Sequence, residues 1–180
     1  MFNLAFVPSW NGLHPLIVHF PIALLFIAPL FVILGMALGP LKGRPFLVSA
    51  LILMVLGTGS IFLAVETGEA AREVVESTST VRAVLQQHQD LAEATEVLFT
   101  LLTVVFAVLL YAPRLLRREL GLRVIVALLA VFLLLYITGA LFLVKTAHQG
   151  ARLVHEFGVK ATVASSAAAT DLASSPGRKD

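Results

Sequence analysis

Residues 16–38 read LIVHFPIALLFIAPLFVILGMAL, an apolar run that contains a histidine and two prolines but no Asp, Glu, Lys or Arg. A helix needs about 20 such residues to cross the roughly 30 Å hydrocarbon core of a bilayer, so this run is long enough to span a membrane. Three further runs follow, at 46–65, 97–112 and 124–144. The third is short, and its helix is expected to begin earlier in the chain. Hydrophobic residues make up 58% of the 180 and charged ones 13%, with a mean hydropathy of +0.93, outside the range of soluble domains. Backbone in hydrocarbon must satisfy its own hydrogen bonds, so the sequence predicts an all-α integral membrane four-helix bundle. No Lys or Arg precedes the first run. The basic start of a signal peptide is therefore missing, and the first span is expected to stay in the mature protein.

The cations orient the bundle. Lys42 and Arg44 lie between the first two runs, and Arg114, Arg117, Arg118 and Arg123 between the last two. The middle connection carries Glu66, Glu69, Glu73, Glu76, Asp90, Glu93 and Glu96 against Arg72 and Arg82. Short cytoplasmic loops are enriched in Lys and Arg, so the two basic loops are expected inside a bacterial inner membrane. Both termini and all five histidines then fall on the periplasmic side. The pI near 9.3 reflects the inner loops and calls for no nucleic-acid partner. The absence of cysteine excludes disulfides, iron–sulfur clusters and covalent c-type haem.

Three regions are expected: an interfacial N-terminal segment at 1–12 containing Trp10, a four-span membrane domain at 13–160, and a flexible tail at 161–180 rich in Ala, Ser and Thr. Pro15 suits a first helical position. Pro21 and Pro29 each remove a backbone hydrogen bond inside the first span, a defect membrane helices tolerate when a neighbour satisfies the freed carbonyl. Gly57-Thr58-Gly59-Ser60 offers small residues for close packing or for a flat ligand. Ser77 to Thr80 supply helix caps. Beyond them Val81, Val84, Leu85, His88, Leu91, Ala92 and Thr95 recur at helical spacing, predicting one helix from about 80 to 112 with His88 on its inward stripe. The last span is expected to continue through Lys145, His148 and Arg152. No internal repeat stands out.

The histidines His14, His19, His88, His148 and His155 carry the chemistry. Imidazole in or beside hydrocarbon is costly unless it is hydrogen-bonded or ligates a metal. His14 and His19 differ by about 140° around a helix, so they point to different neighbours. Neither HxxxH nor HExxH occurs, which argues against a hydrolytic zinc site. Single imidazoles from separate helices are what a b-type haem requires, and bundles build such sites between facing helices. Position ranks His19 and His88 first as cofactor or metal ligands, then His14 and His148, and His155 last. Gly59 and Ser60, at the depth of His19, leave room for a planar group. Arg152, four residues after His148, is a candidate partner for a haem propionate, as are Arg72 and Arg82.

The string HPLIVHFPIAL from His14, the pair Thr67-Gly68 after the second run, the isolated His88, and His148-Gln-Gly-Ala-Arg-Leu-Val together resemble the bacterial membrane-protein family called domain of unknown function 2231. The resemblance covers about residues 12 to 160. Members occur as small four-span proteins and fused to c-type cytochrome or Rieske modules, which implies redox chemistry at the outer membrane face. The family motif covers His14, His19, His88 and His148. His155 stands where the family is expected to have Tyr, and Ala151 where it tends to have Gly.

Three functional readings result. The leading one is a membrane electron-transfer subunit with one or two haem b groups near the periplasmic face, serving a quinol pool, other redox subunits or a periplasmic carrier. The second is a Zn- or Cu-binding membrane protein using some of the same histidines. The third is a cofactor-free scaffold subunit, its histidines paired to Glu66, Glu69 or backbone carbonyls. No constellation for a stand-alone enzyme is present, and no polar path crosses the basic half as a transporter would need. The topology has a direct test. A cysteine placed beside His88 should react with an impermeant thiol reagent added outside intact spheroplasts; labelling only after the membrane is breached would reverse the orientation.

Overall fold

The structure, a computed structural model, describes residues 10–73, 78–117 and 120–159. Of the 1–12 segment only 10–12 are described, as a short 3-10 turn at Trp10–Gly12. The tail at 161–180, Glu76, Ser77 and Arg118 lie outside the described residues. The elements are α1 (His14–Ile17), α2 (His19–Lys42), α3 (Arg44–Glu73), α4 (Ser79–Leu115) and α5 (Leu122–His155). Four segments are long and apolar enough to cross a membrane, with α1 and α2 together making the first. The protein is an all-α membrane four-helix bundle.

Local chemistry sets the helix boundaries. Thr78 caps α4, its hydroxyl accepting from the Val81 N–H at 3.5 Å. α4 and α5 have 37 and 34 residues. At about 1.5 Å per residue they run about 55 and 51 Å, well beyond the hydrocarbon core, so their ends project from it. α2 turns into α3 through Gly39 and Gly43. Gly39 has φ 72, a conformation that favours glycine, and Pro40 follows it; a Cβ on Gly43 would collide with the Gly35 carbonyl oxygen.

The helices form a ring in which α2 packs on α3, α3 on α4, α4 on α5 and α5 back on α2, while the backbones of the diagonal pairs stay apart. Its axis is filled by Phe99, Phe106, Phe132 and Met54, all fully buried. Phe106 and Phe132 stack at 4.8 Å, and Phe99 meets Tyr136 edge-on at 5.5 Å. The outer faces are apolar as well, with Phe20, Leu30, Leu101 and Leu134 exposed, as contact with lipid requires. Hydroxyl pairs tie neighbouring helices: Thr58 to Thr103 across α3 and α4, and Thr95 to Thr146 across α4 and α5, both at 2.9 Å.

The two prolines of the first span act differently. Pro21 cannot donate to the Ile17 carbonyl, and the helix is interrupted there, between α1 and α2. Pro29 cannot donate to the Leu25 carbonyl, yet the helix continues, because the Tyr136 hydroxyl of α5 donates to that oxygen at 2.6 Å. Tyr136 and Leu25 are both buried. A buried carbonyl deprived of its donor costs about 1–3 kcal/mol. Tyr136→Phe should therefore destabilise the detergent-solubilised protein by about that amount. In a Pro29→Ala background, where a helical N–H is restored, the same change should cost close to nothing. Equal losses in both backgrounds, read by thermal unfolding, would separate the hydroxyl from the proline defect.

Candidate functional site

Two of the five histidines face each other across the bundle. His14 at the start of α1 and His88 in α4, on diagonal helices, have ring centroids 6.4 Å apart and planes inclined at 82°. Both are partly buried. They line one cleft with residues from all four spans, among them Ile22, Ala64, Leu143 and Thr146, and its enclosed part holds about 70 Å³. Apart from the imidazoles and the Thr95 and Thr146 side chains, the lining is apolar.

Each ring is held by the same device. His14 Nδ1 lies 2.8 Å from the Ala64 carbonyl oxygen of α3, and His88 Nδ1 lies 3.0 Å from the Thr146 carbonyl oxygen of α5. A carbonyl only accepts, so in both rings Nδ1 carries the hydrogen. Nε2 is thereby left with its lone pair and without a partner among the described residues. Among the described residues no buried side-chain nitrogen or oxygen lacks a partner, so these Nε2 atoms are not sealed away. The glycine one turn beyond each accepting carbonyl makes room for the ring. A Cβ on Gly68 would lie 3.0 Å from His14 Cε1, and one on Gly150 would lie 3.1 Å from His88 Cε1. The hairpins α1/α2–α3 and α4–α5 thus each contribute one histidine, one carbonyl and one glycine, a duplication that sequence inspection did not reveal.

The remaining expected ligands are elsewhere. His19, ranked first with His88, lies on the exposed side of α2, and it is His14 that turns inward; the 140° between them did separate their directions. His148 and His155 are exposed on α5. Gly59, expected to leave room for a planar group, is exposed with nothing within 4 Å of its would-be Cβ, whereas the neighbouring Gly57 packs against Leu25. Arg152 is committed along its own helix, to Glu156 at 3.0 Å and to Gln149 at 3.0 Å. Arg72 donates to Gln86 and Gln89, and Arg82 is exposed without a partner among the described residues. Glu69 accepts from Gln89 rather than from a histidine. Gly68, Gly150, Ala64 and Thr146 were assigned no role by sequence, although Thr67-Gly68 and the glycine after His148 belong to the motifs quoted above.

The donor set restricts the chemistry. Among the described residues no three His, Asp or Glu side chains converge on one point. Two imidazoles alone do not complete a four-coordinate zinc shell. A porphyrin iron, in contrast, needs only two axial ligands from protein. Two imidazoles held on opposite sides of one iron would have centroids about 6.2 Å apart, from a metal–nitrogen bond of about 2 Å plus about 1.1 Å to each ring centre. The observed centroid distance of 6.4 Å is close to this spacing. The enclosed 70 Å³ does not take a macrocycle in the present packing, so a porphyrin between the imidazoles would require lining side chains, the buried Leu143 among them, to move.

No curated protein and no solved structure matches the chain. Residues 11–163 match the family described as predicted membrane protein, DUF2231. With four apolar spans and a match over most of its length, the chain belongs to this family of predicted membrane proteins.

Proposed function

We propose that the protein is a membrane electron-transfer subunit that binds one haem b between His14 and His88, near the periplasmic face of a bacterial inner membrane. The observation that carries this reading is the pair itself: two imidazoles at axial spacing, each with Nδ1 tied to a backbone carbonyl and Nε2 unbonded. A second hydrogen bond of this kind fixes ring orientation and tautomer in ligating histidines. The apolar lining suits a porphyrin better than a hydrated cation. When bound, the haem supplies one-electron exchange between ferric and ferrous iron. The chain's own residues hold the group, orient the imidazoles and keep water from the iron. The partners of such a subunit are a quinol pool, other redox subunits or a periplasmic carrier.

A second reading has its own observation. His14 and His88 bond to carbonyls of neighbouring helices and so join α1 to α3 and α4 to α5 whether or not a cofactor binds. On that reading the protein is a scaffold subunit and the histidines are interhelical ties. Zinc or copper binding has less support, since among the described residues only two ligands converge.

The readings separate on purified protein. Haem binding predicts a Soret band and a b-type difference spectrum, converted to a high-spin spectrum or lost in His14→Ala and in His88→Ala, and kept in His19→Ala, His148→Ala and His155→Ala. Gly150→Val, which crowds His88, should lower haem occupancy while the helical circular dichroism persists. Colourless protein in which His14→Ala and His88→Ala merely lower stability would support the scaffold, and stoichiometric zinc or copper by elemental analysis would support the metal-ion reading.

A further inference from the structure

At the opposite end of the bundle from the histidines, a groove of about 220 Å³ opens between α3, α4 and α5. Its mouth carries Arg44 at the start of α3 and Arg114 near the end of α4; its walls include Leu47, Leu109, Leu110 and Pro113. The groove reaches inward to Phe106 and Leu129, both buried. Arg44 and Arg114 are exposed, and neither has an ion-pair partner among the described residues. Lys42, Arg117, Arg118 and Arg123 lie in the same two connections, whose one acidic residue is Glu119.

We propose that this groove is a binding site for one anionic phospholipid, its phosphate held between Arg44 and Arg114 and part of one acyl chain lying along the apolar walls. Four observations converge on that occupant. Two guanidiniums from different helices offer forked donors suited to a phosphate. The walls behind them are apolar and continue into the core, which a soluble phosphate or dicarboxylate would not use. The volume is below the roughly 300–1,000 Å³ of pockets that enclose a small molecule, whereas a lipid leaves most of its chains in the bilayer and needs only a partial cradle. The site lies where the spans end, at headgroup depth, where basic pockets between helices recognise anionic lipids. A lipid bridging Arg44 and Arg114 would tie α3 to α4 at an end where described side chains make no hydrogen bond between them.

Native mass spectrometry of the full chain, released from mild detergent with phosphatidylglycerol and phosphatidylcholine of matched acyl chains, tests this. One retained phosphatidylglycerol is expected, preferred by about twenty-fivefold, the product of two cations each worth about fivefold at an anionic surface. The preference should fall to near unity in the Arg44→Gln/Arg114→Gln double variant and survive in Arg123→Gln, with circular dichroism reporting that both are folded. If the double variant does not fold, the unaltered protein decides: raising salt from about 0.1 M to about 1 M, which shortens the Debye length from about 10 to about 3 Å, should weaken the retention. Equal retention of both lipids, or displacement of the lipid by inorganic phosphate at equal concentration, would overturn the proposal.

Discussion

In hydrocarbon a backbone carbonyl has no water to turn to, and the bundle is organised by how its carbonyls find donors on neighbouring helices. Pro29 deprives Leu25 of its helical N–H, and Tyr136 supplies a hydroxyl from α5. The Ala64 and Thr146 carbonyls use a second lone pair to accept from His14 and His88. Each of these bonds joins two different spans at a fixed register, which dispersion contacts between smooth apolar helices do much less sharply. The Tyr136 bond closes the ring of four helices between α2 and α5, and the histidine bonds fix the outer ends of the two hairpins.

The duplication of the histidine device connects fold to site. In each hairpin a helix carrying a histidine lies against one carrying a carbonyl with glycine a turn later, so the imidazole can sit on bare backbone. The rings meet because α1 and α4 are diagonal in the bundle and their histidines are level. Neither hairpin alone makes a two-imidazole site. Below the rings, the hydroxyl pair Thr95–Thr146 keeps α4 and α5 in the register that the His88 bond requires.

How much of this the sequence disclosed depended on contrast between the faces of each helix. His88 was legible because the start of α4 projects beyond the hydrocarbon, where Asp90, Glu93 and Glu96 mark the outer face and the apolar stripe marks the inner one. The extent of α4 and its cap at Thr78 followed from the same pattern. The first span has no such contrast, since lipid-facing and core-facing positions are both apolar. Angular spacing could say that His14 and His19 diverge but not which of them points inward, and His19 was preferred for its depth beside Pro21. The glycines that matter, Gly68 and Gly150, act through contacts between segments far apart in the chain, which no local pattern encodes.

The central claim is that His14 and His88 form one axial pair with nearly perpendicular planes. That angle would have its own spectroscopic consequence, because a haem iron held by both imidazoles at 82° would have two almost degenerate d orbitals and widely spread g values. Electron paramagnetic resonance of the oxidised, purified protein is the most direct measurement. The account predicts a highly anisotropic low-spin ferric signal. A rhombic low-spin signal of the kind parallel imidazoles give, or protein that takes up no haem at all, would contradict it.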